Sequence, residues 1–527
     1  MIVVTAAQMQ AIDQQTIAEF GIPGRVLMEN AGRGATRCFL ERIYSRGTGF
    51  VGILAGPGNN GGDGFVMARY LAQWDVAVVV FLLGQKSRVK GDAAANLDLL
   101  ATLEVEVVEL PDSQTLTTHH GRMRHISYWI DALLGTGLNS EVRGHYKEAI
   151  AFINAQQRPV LAVDIPSGLH ADTGQPCGIC IKADATVTFG SPKIGQLVQP
   201  GAAYCGELEL IDIGIPPMIT QGIAPAVHLL TGSHVSRLLP GRAADAHKGQ
   251  TGHALVIAGS VGKTGAAAMT AMSAFRAGAG LVTLGVGVSI AAVLETLTIE
   301  AMTLPLADDE NGALGPQVYD AIRLASQGKQ CLALGPGLGL SDATGELVAA
   351  LVKGIDLPMV IDADGLNHLA GRLDLLDQRQ SPTILTPHPG EMARLCDLST
   401  SEIQQDRISA ARDLAAGHGV HVVLKGAGTV VAEPDGRAWI NSTGNSGMAS
   451  GGMGDVLTGT IAGLLAQGST AIEASLAAVY LHGLAADMLA AESPWGYLAT
   501  EVMETLPLAI DKVLSDPPPP PINLPLY

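Results

Sequence analysis

The chain has 527 residues, a formal net charge of -18 at pH 7 and a pI of about 5.1. This length is too great for one hydrophobic core, so we expect two or three domains. The acidic balance argues against a nucleic-acid partner, whose phosphates would repel the protein. No apolar run reaches the ~18 residues that span a bilayer, and residues 1–8 lack the basic start of a signal peptide. We therefore expect a cytoplasmic protein with no membrane partner.

Six cysteines in a chain of this length favour a reducing compartment. Cys177 and Cys180 have CxxC spacing, but no second pair follows at the spacing of a zinc site. Cys205 stands alone. We interpret the CxxC segment as a surface loop with incidental cysteines.

Residues 1–225 are predicted to form one α/β unit. Thr5 is the expected N-cap of a first helix, and a second helix follows the break at residues 21–24. Near-continuous apolar strands separated by helices predict a parallel sheet covered on both faces. The predicted strands are residues 50–55, 76–83, 125–130, 159–164 and 185–189.

A proline-rich linker at residues 215–226 leads to a second α/β unit, residues 226–512. Residues 513–527 are assigned to a Pro-rich tail, in which residues 516–527 cannot form a helix or a central strand, and we expect a polyproline II extension or disorder there. The strands predicted in the second unit are residues 253–258, 281–286, 331–334, 359–362, 383–385, 421–424 and 437–440.

Three loops of the first unit follow strands, where parallel sheets place their ligands. They are residues 56–64, 131–141 and 164–168, and the first contains a GxGxxG pattern between a strand and a helix. Its added polar groups can hydrogen-bond ribose or phosphate, or give oxygens to a cation. Asn60, Asp131 and Ser167 could jointly offer hard oxygen ligands, although each alone is more often a loop cap.

Residues 441–460 of the second unit contain the strongest signal in the chain. Five glycines precede Asp455 and let the backbone approach a ligand closely before a small-residue helix begins near Asp455. The free N–H groups at that helix start favour an anion, and a carboxylate beside them suits a general base in phosphoryl transfer. The alternative is a Gly-rich turn in which Asp455 is merely the N-cap.

Four further loops of this unit follow strands: residues 335–339, 362–367, 386–392 and 425–429. Together with residues 441–455 they predict one long active-site rim. A P-loop interpretation of residues 259–265 fails because the pattern requires glycine at position 257, which is Ile257. The segment from residue 265 to residue 280 is predicted as a closely packed helix instead.

The first unit resembles the YjeF N-terminal family of NAD(P)HX epimerases, through GPGNNGGDG at 56–64, DALLGTG at 131–137 and VDIPSG at 163–168. These enzymes interconvert the R and S forms of hydrated NADH and NADPH. The resemblance implies a Rossmann-like domain with a potassium ion held by Asn60, Asp131 and Ser167. It further implies Asp164 as the acid/base, assisted by Lys193, for which a solvated surface lysine is the alternative. The implied cofactor contacts are Asn59, Asn60, Gly61, Gly62, Asp63, Gly135, Thr136, Gly137, Leu138, Asn139, Ser140, Glu141 and Asp164.

The second unit resembles the YjeF C-terminal family, ADP- or ATP-dependent NAD(P)H-hydrate dehydratases with a ribokinase-like fold. The matching motifs are GPGLG, DADGLN, THPGEM, KGAGT and NSGMASGGMGDVLTG. The resemblance implies Asp455 as the base and Mg²⁺ on the phosphates of ADP. It implies contacts to the hydrated cofactor from Ala254, Gly337, His388 and Asp455, and to the nucleotide from Lys425, Gly426, Ala427, Gly428, Thr429, Asn445 and Gly454.

The order of both motif sets resembles that of bacterial bifunctional NAD(P)H-hydrate repair enzymes, over roughly residues 1–510. We therefore expect NADHX or NADPHX and ADP as small-molecule partners, with ATP left open, and a homo-oligomer. The alternatives are a small-molecule kinase of the ribokinase class and a regulatory protein that uses an inactive kinase fold.

Overall fold

A computed structural model describes residues 1–44, 48–224, 226–310 and 312–523. The chain divides into two compact units. The first consists of Ile2–Val227 together with Pro521–Tyr527, and the second of Met1 together with His228–Pro520. The proline-rich segment before the boundary contains the short helix Pro217–Gln221.

The strands in the described residues are numbered in chain order. They are β1 (Ile2–Val3), β2 (Val51–Ala55), β3 (Val78–Leu82), β4 (Glu106–Glu109), β5 (Tyr128–Ala132), β6 (Val160–Val163), β7 (Ala185–Phe189), β8 (Glu207–Ile211), β9 (Val227–Leu229), β10 (His253–Ile257), β11 (Leu281–Gly287), β12 (Met302–Leu306), β13 (Cys331–Leu334), β14 (Met359–Ile361), β15 (Thr383–Leu385), β16 (His421–Leu424), β17 (Val430–Ala432), β18 (Ala438–Ile440) and β19 (Ile522–Asn523).

The α-helices are numbered in the same way. They are α1 (Ala6–Ala18), α2 (Gly24–Cys38), α3 (Asn59–Gln73), α4 (Gly91–Thr102), α5 (Ser113–Met123), α6 (Gly144–Gln156), α7 (Ile194–Leu197), α8 (Gly201–Cys205), α9 (Pro217–Gln221), α10 (Gly232–Val235), α11 (Thr264–Arg276), α12 (Val288–Leu297), α13 (Tyr319–Ala325), α14 (Asp342–Gly354), α15 (Asp364–Leu369), α16 (Pro389–Cys396), α17 (Thr400–Gln405), α18 (Arg407–His418), α19 (Met453–Ala466), α20 (Ala471–Ala490) and α21 (Ala499–Ser515).

The first unit is built on a parallel sheet with the strand order β19-β8-β7-β6-β5-β2-β3-β4. Successive residues of β2 and β3 alternate between two hydrophobic clusters, one on each face. The expected doubly covered parallel sheet is confirmed. The sequence analysis missed β4 and β8, because both carry glutamates and lie toward the edges of the sheet, where apolar periodicity is weak.

The second unit contains the strand order β9-β18-β17-β16-β15-β14-β13-β10-β11-β12. The strands from β10 to β16 pair in parallel, as expected, and so does β12 with β11. Strand β17 pairs antiparallel with both β16 and β18. The chain therefore reverses direction twice, and β18 ends at the same edge of the sheet as β16, where residues 441–455 follow. This hairpin places the Gly-rich stretch next to the loops that follow the parallel strands.

The tail differs from the expected polyproline II or disordered state at two residues. Ile522 and Asn523 form β19, which pairs in parallel with Leu208 and Glu209 at the edge of the first unit's sheet. Proline has no backbone N–H, so pairing begins at the first residue that follows the proline run.

Small residues bring α11 and α19 into close contact in the second unit. A Cβ atom at Gly459 would lie 2.1 Å from the carbonyl oxygen of Thr270, and one at Gly463 would lie 2.4 Å from that of Ala274.

Among the described residues, α20 is the one helix long and apolar enough to cross a membrane, but most of it is buried inside the protein, as in a core helix.

Replacement of Gly459 by alanine tests this close contact. The added methyl group meets backbone that cannot rotate away, so we expect Gly459→Ala to destabilise the protein by about 1–3 kcal/mol. Gly417→Ala is the matched control, because nothing lies within 4 Å of a Cβ at that helical position. It should be neutral or stabilising by about 1 kcal/mol. Calorimetric unfolding of both variants makes the comparison, and equal transition temperatures would contradict the packing argument.

Candidate active sites

The three predicted loops of the first unit lie together at the carboxyl edge of its sheet. The N–H of Gly56 donates to the carbonyl oxygen of Ala132 (3.1 Å), and the N–H of Leu134 donates to Ser167 Oγ (2.8 Å). A Cβ at Gly61 would lie 1.9 Å from the carbonyl oxygen of Gly56, so only glycine fits at this turn. The tight backbone packing creates a shallow polar rim.

Asp131 and Ser167 meet at this edge, and Asn60 lies beside the same loop, where a Cβ at Gly135 would be 3.4 Å from the Asn60 Cβ. Ser167 donates its hydroxyl to Asp131 Oδ1 (2.6 Å) and its backbone N–H to Oδ2 (2.7 Å). Burial raises the pKa of Asp131 to about 6 in spite of these hydrogen bonds. The amide oxygen and nitrogen of Asn60 are buried and have no hydrogen-bond partner among the described residues. A buried carboxylate and a buried amide oxygen are donors of the kind that a hard cation takes.

Residues 59–63 form the first turn of α3. The N-cap is Gly58, which offers no side chain to the free N–H groups of that turn. No atom lies within 4 Å of a Cβ built at Gly58 or Gly137, so both glycines border open space. The predicted contact residues from Gly135 to Glu141 form the partly exposed loop beside this helix start. Uncapped N–H groups next to open space suit a phosphate of a dinucleotide.

A buried ion pair lies at the same edge. Lys193 Nζ donates to Asp164 Oδ1 (2.5 Å), Thr188 Oγ1 (3.0 Å) and the carbonyl oxygen of Phe189 (3.2 Å). The side chain of Lys193 is 1% exposed, so the alternative of a solvated surface lysine does not hold. Asp164 has a φ of 64°, a left-handed conformation that is uncommon outside glycine and frequent at functional sites.

Two residues near this pair were missed by the sequence analysis. Gln196 Nε2 donates to the carbonyl oxygen of Asp164 (2.6 Å). Burial raises the pKa of Asp13 to about 6, with Lys193 lowering it and Asp164 raising it. Burial, with the charges of Asp164 and Asp13, also raises the pKa of Asp63 well above its usual value. Gln196 could have been found from its spacing to Lys193, whereas Asp13 belongs to a distant helix without a motif.

The loops of the second unit join into one continuous rim through backbone hydrogen bonds. Gly259 N–H donates to Pro336 O (2.8 Å), and Lys425 N–H donates to Pro387 O (2.9 Å). Ser260 Oγ donates to the carbonyl oxygen of Gly337 (2.7 Å). This hydrogen bond fixes Gly337, which is predicted to contact the hydrated cofactor. The predicted rim is therefore one surface that runs along the carboxyl edge of the sheet.

Asp455 is the third residue of α19 and does not cap it. The N-cap is Gly452, with a φ of 91° and no side-chain hydrogen bond to the helix. The N-cap alternative for Asp455 is wrong, and the N–H groups of the first turn have no side-chain cap. Burial, and to a lesser extent the charge of Asp362, raises the pKa of Asp455 to about 6, against the opposing effect of Lys425.

Lys425 lies at the centre of the second site. Its Nζ donates to Asp362 Oδ1 (2.6 Å) and lies 3.7 Å from Glu391 Oε2. A Cβ at Gly454 would lie 3.3 Å from this Nζ, so the ammonium group faces the start of α19. Burial opposes its charge, but Asp362 and Glu391 raise the pKa of Lys425, which therefore remains an ammonium ion.

Beneath the loop of residues 425–429 lies Arg407, which the sequence analysis missed. The Arg407 side chain donates to the carbonyl oxygens of Leu424 (3.0 Å) and Lys425 (3.2 Å) and is almost fully buried. Gly426 and Gly428 have φ values of 135° and 64°, which the loop requires. The guanidinium group thus supports the loop and adds positive charge under it.

The remaining predicted residues of the second unit differ in exposure. His388 is half-exposed and caps α16 by accepting the N–H of Gly390 at its Nδ1 (3.0 Å). The Asn445 side chain is held by Asp487 (2.9 Å) and by Tyr497 (2.6 Å). Ala254 is fully buried near the amino end of β10, and the structure does not bring it to the rim.

Comparisons with known proteins find a matching family for each unit. The family model described as YjeF-related protein N-terminus matches residues 24–195, and the model described as NAD(P)H-hydrate dehydratase matches residues 254–508. A bifunctional NAD(P)H-hydrate repair enzyme of Moorella thermoacetica is 40% identical over 515 residues, 97% of each chain.

The chain belongs to the bifunctional NAD(P)H-hydrate repair enzymes. A family member from Thermofilum pendens is 37% identical, over 98% of this chain and 97% of its own. A solved ADP/ATP-dependent NAD(P)H-hydrate dehydratase from Bacillus subtilis, crystallised with ATP and Mg²⁺, is 35% identical, covers 55% of this chain and 100% of its own, and has a TM-score of 0.49. The expected family and the expectation of an enzyme are confirmed.

Removal of the buried lysine tests the ion pair of the first unit. Lys193→Met leaves Asp164 without its partner, and breaking such a pair costs about 3–5 kcal/mol. We expect a lower unfolding temperature of this repair enzyme, measured by calorimetry. Lys182→Met is the control, because Lys182 is exposed in the same unit. If both variants unfold at the wild-type temperature, the pair does not contribute as described.

Proposed function

We propose that the first unit epimerises R and S NAD(P)HX and that the second unit dehydrates the S form to NAD(P)H. The second reaction consumes ADP and releases AMP and phosphate. The observation that carries the proposal is the uncapped start of α19 with the carboxylate of Asp455 beside it and Lys425 facing it. An anion site next to a general base is what transfer of a phosphoryl group to a hydroxyl requires.

In the dehydratase step, Asp455 accepts the proton of the hydroxyl group on the hydrated ring. The hydroxyl oxygen then forms a bond to the β-phosphorus of ADP, and the bond to AMP breaks. Phosphate next leaves with its C–O electron pair, and loss of a ring proton restores the double bond. The N–H groups near Gly454 stabilise the charge on the phosphoryl group during transfer.

Nucleotide binding is assigned to residues 425–429, Asn445 and Gly454. Mg²⁺ accompanies the phosphates, whose oxygens are its preferred ligands. Gly337 and His388 contact the hydrated cofactor from the adjacent loops. We infer ADP rather than ATP as the phosphoryl donor, a cytoplasmic location and a homo-oligomeric state.

In the epimerase step, Asp164 moves the proton of the hydroxyl group on the carbon that is inverted, and Lys193 holds the Asp164 carboxylate in place. Residues 59–63 and 135–141 bind the cofactor. Asn60, Asp131 and Ser167 would hold K⁺, and the unpartnered amide oxygen of Asn60 fits that assignment. The ion supplies positive charge to a buried carboxylate. Because the dehydratase accepts only the S form, the epimerase makes the R form usable by converting it into the S form.

The decisive experiment incubates the pure protein with mixed R and S NADHX, ADP, Mg²⁺ and K⁺ while reduced-nicotinamide absorbance is followed. We expect full recovery of NADH with release of AMP. Recovery that stops at the S fraction would contradict the epimerase assignment. A stable phosphorylated product without NADH would favour a small-molecule kinase of the ribokinase class.

Asp455→Asn tests the base. Loss of a general base costs about 100-fold to 10,000-fold in rate, so we expect kcat for dehydration to fall in this range. Because Asp455 must be ionised and its pKa is about 6, wild-type kcat/KM should be full above that pH and decline below it. Asp320→Asn, on an exposed helix, is the control and should retain wild-type kinetics. Unchanged activity of Asp455→Asn would rule out this role.

A further inference from the structure

Asp362 occupies a central position that the mechanism above does not use. It follows β14 directly and is 1% exposed. Its Oδ1 accepts a hydrogen bond from the Lys425 ammonium group (2.6 Å), and its Oδ2 accepts one from the hydroxyl group of Thr458 (2.8 Å). One carboxylate therefore connects the end of β14, the loop after β16 and the first two turns of α19.

We propose that Asp362 is the positioning residue of the dehydratase site, which holds Lys425 against the start of α19 and places its own negative charge beside the helix turn that carries Asp455. The inference rests on the proposed dehydratase function. Asp362 does not touch the nucleotide in this scheme, because both of its oxygens are engaged by protein groups.

Helix α19 connects Asp362 to Asp455, because it carries both Asp455 and the Thr458 that bonds to Asp362. Asp455 and Thr458 are three residues apart and lie on neighbouring positions of one helix face. A bond to Thr458 fixes the rotation of the first turn, and with it the direction of the Asp455 carboxylate. The same Asp362 carboxylate holds the ammonium group that faces Gly454, where the phosphoryl group is transferred.

The charges around Asp455 determine the direction of the effect. Asp362 and Asp364 raise its proton affinity, and Lys425 lowers it. Glu391 faces Lys425 from α16, and His482 faces it from α20. His482 remains neutral because burial lowers its pKa to about 4. Removal of the Asp362 charge therefore weakens Asp455 as a base and frees Lys425 to interact more strongly with it.

The test is the pH profile of dehydration by Asp362→Asn, with S NADHX, ADP and Mg²⁺. We expect kcat to fall about 100-fold, because the reacting groups are misplaced. The acid limb of kcat/KM should move to lower pH by about one unit, because Asp455 loses a negative neighbour. Thr458→Val keeps every charge, so it should lower kcat several-fold without moving the acid limb. Asp356→Asn, an exposed control, should behave as wild type.

An acid limb at the wild-type pH in Asp362→Asn would overturn the inference, whether the rate is normal or reduced. Should that variant not fold, Lys425→Met and the double variant Asp362→Asn/Lys425→Met replace it, since the double variant removes both charges of the Lys425–Asp362 pair together. The acid limb of kcat/KM for Lys425→Met should then lie about one pH unit above that of the double variant. Acid limbs at the same pH in the two variants would overturn the inference. Lack of turnover by the wild-type protein would contradict the proposed function instead.

Discussion

A buried lysine–aspartate pair at the carboxyl edge of a parallel sheet organises each of the two sites. Lys193 and Asp164 meet at 2.5 Å in the first unit, and Lys425 and Asp362 meet at 2.6 Å in the second. In both pairs the aspartate directly follows a strand, so the rigid sheet fixes the carboxylate. A charge in this low-dielectric setting is costly without its partner, so each pair constrains the loops that supply it. The geometry of the sites depends on that constraint.

Glycines allow the surrounding loops to approach these pairs. A Cβ at Gly335 would lie 1.9 Å from the carbonyl oxygen of Asp362, and one at Gly61 would lie equally close to the oxygen of Gly56. The same principle operates in the core, where Gly459 lets α19 pack on the backbone of α11. Since α19 begins at the candidate active site of the second unit, this helix contact determines where Asp455 is held. Glycine, which has no side chain, thus allows close approach of the backbone both at the loops of the candidate sites and at the helix contact that positions Asp455.

Near each pair, burial and the charge of a neighbouring aspartate raise the pKa of a carboxylate. Asp13, Asp63 and Asp164 surround Lys193, and Asp362 and Asp455 surround Lys425. Burial and like charge raise the pKa of Asp455 to about 6, which makes it a better base near neutral pH than an exposed aspartate. The positive charge of the lysine in each pair offsets part of the repulsion between the neighbouring carboxylates. Both units therefore combine a lysine fixed by an ion pair with further buried carboxylates close to it.

The sequence alone determined the α/β class, the parallel strands and the loops that follow them, because apolar runs and Gly-rich turns are local patterns. It also indicated Asp164, Lys193, Lys425 and Asp455 through motifs. The tertiary structure decided which of these residues meet, since ion pairs such as that between Lys425 and Asp362 join positions 63 residues apart. Asp13 and Arg407 became visible only in the fold, because a residue on an ordinary helix acquires its role from what packs against it.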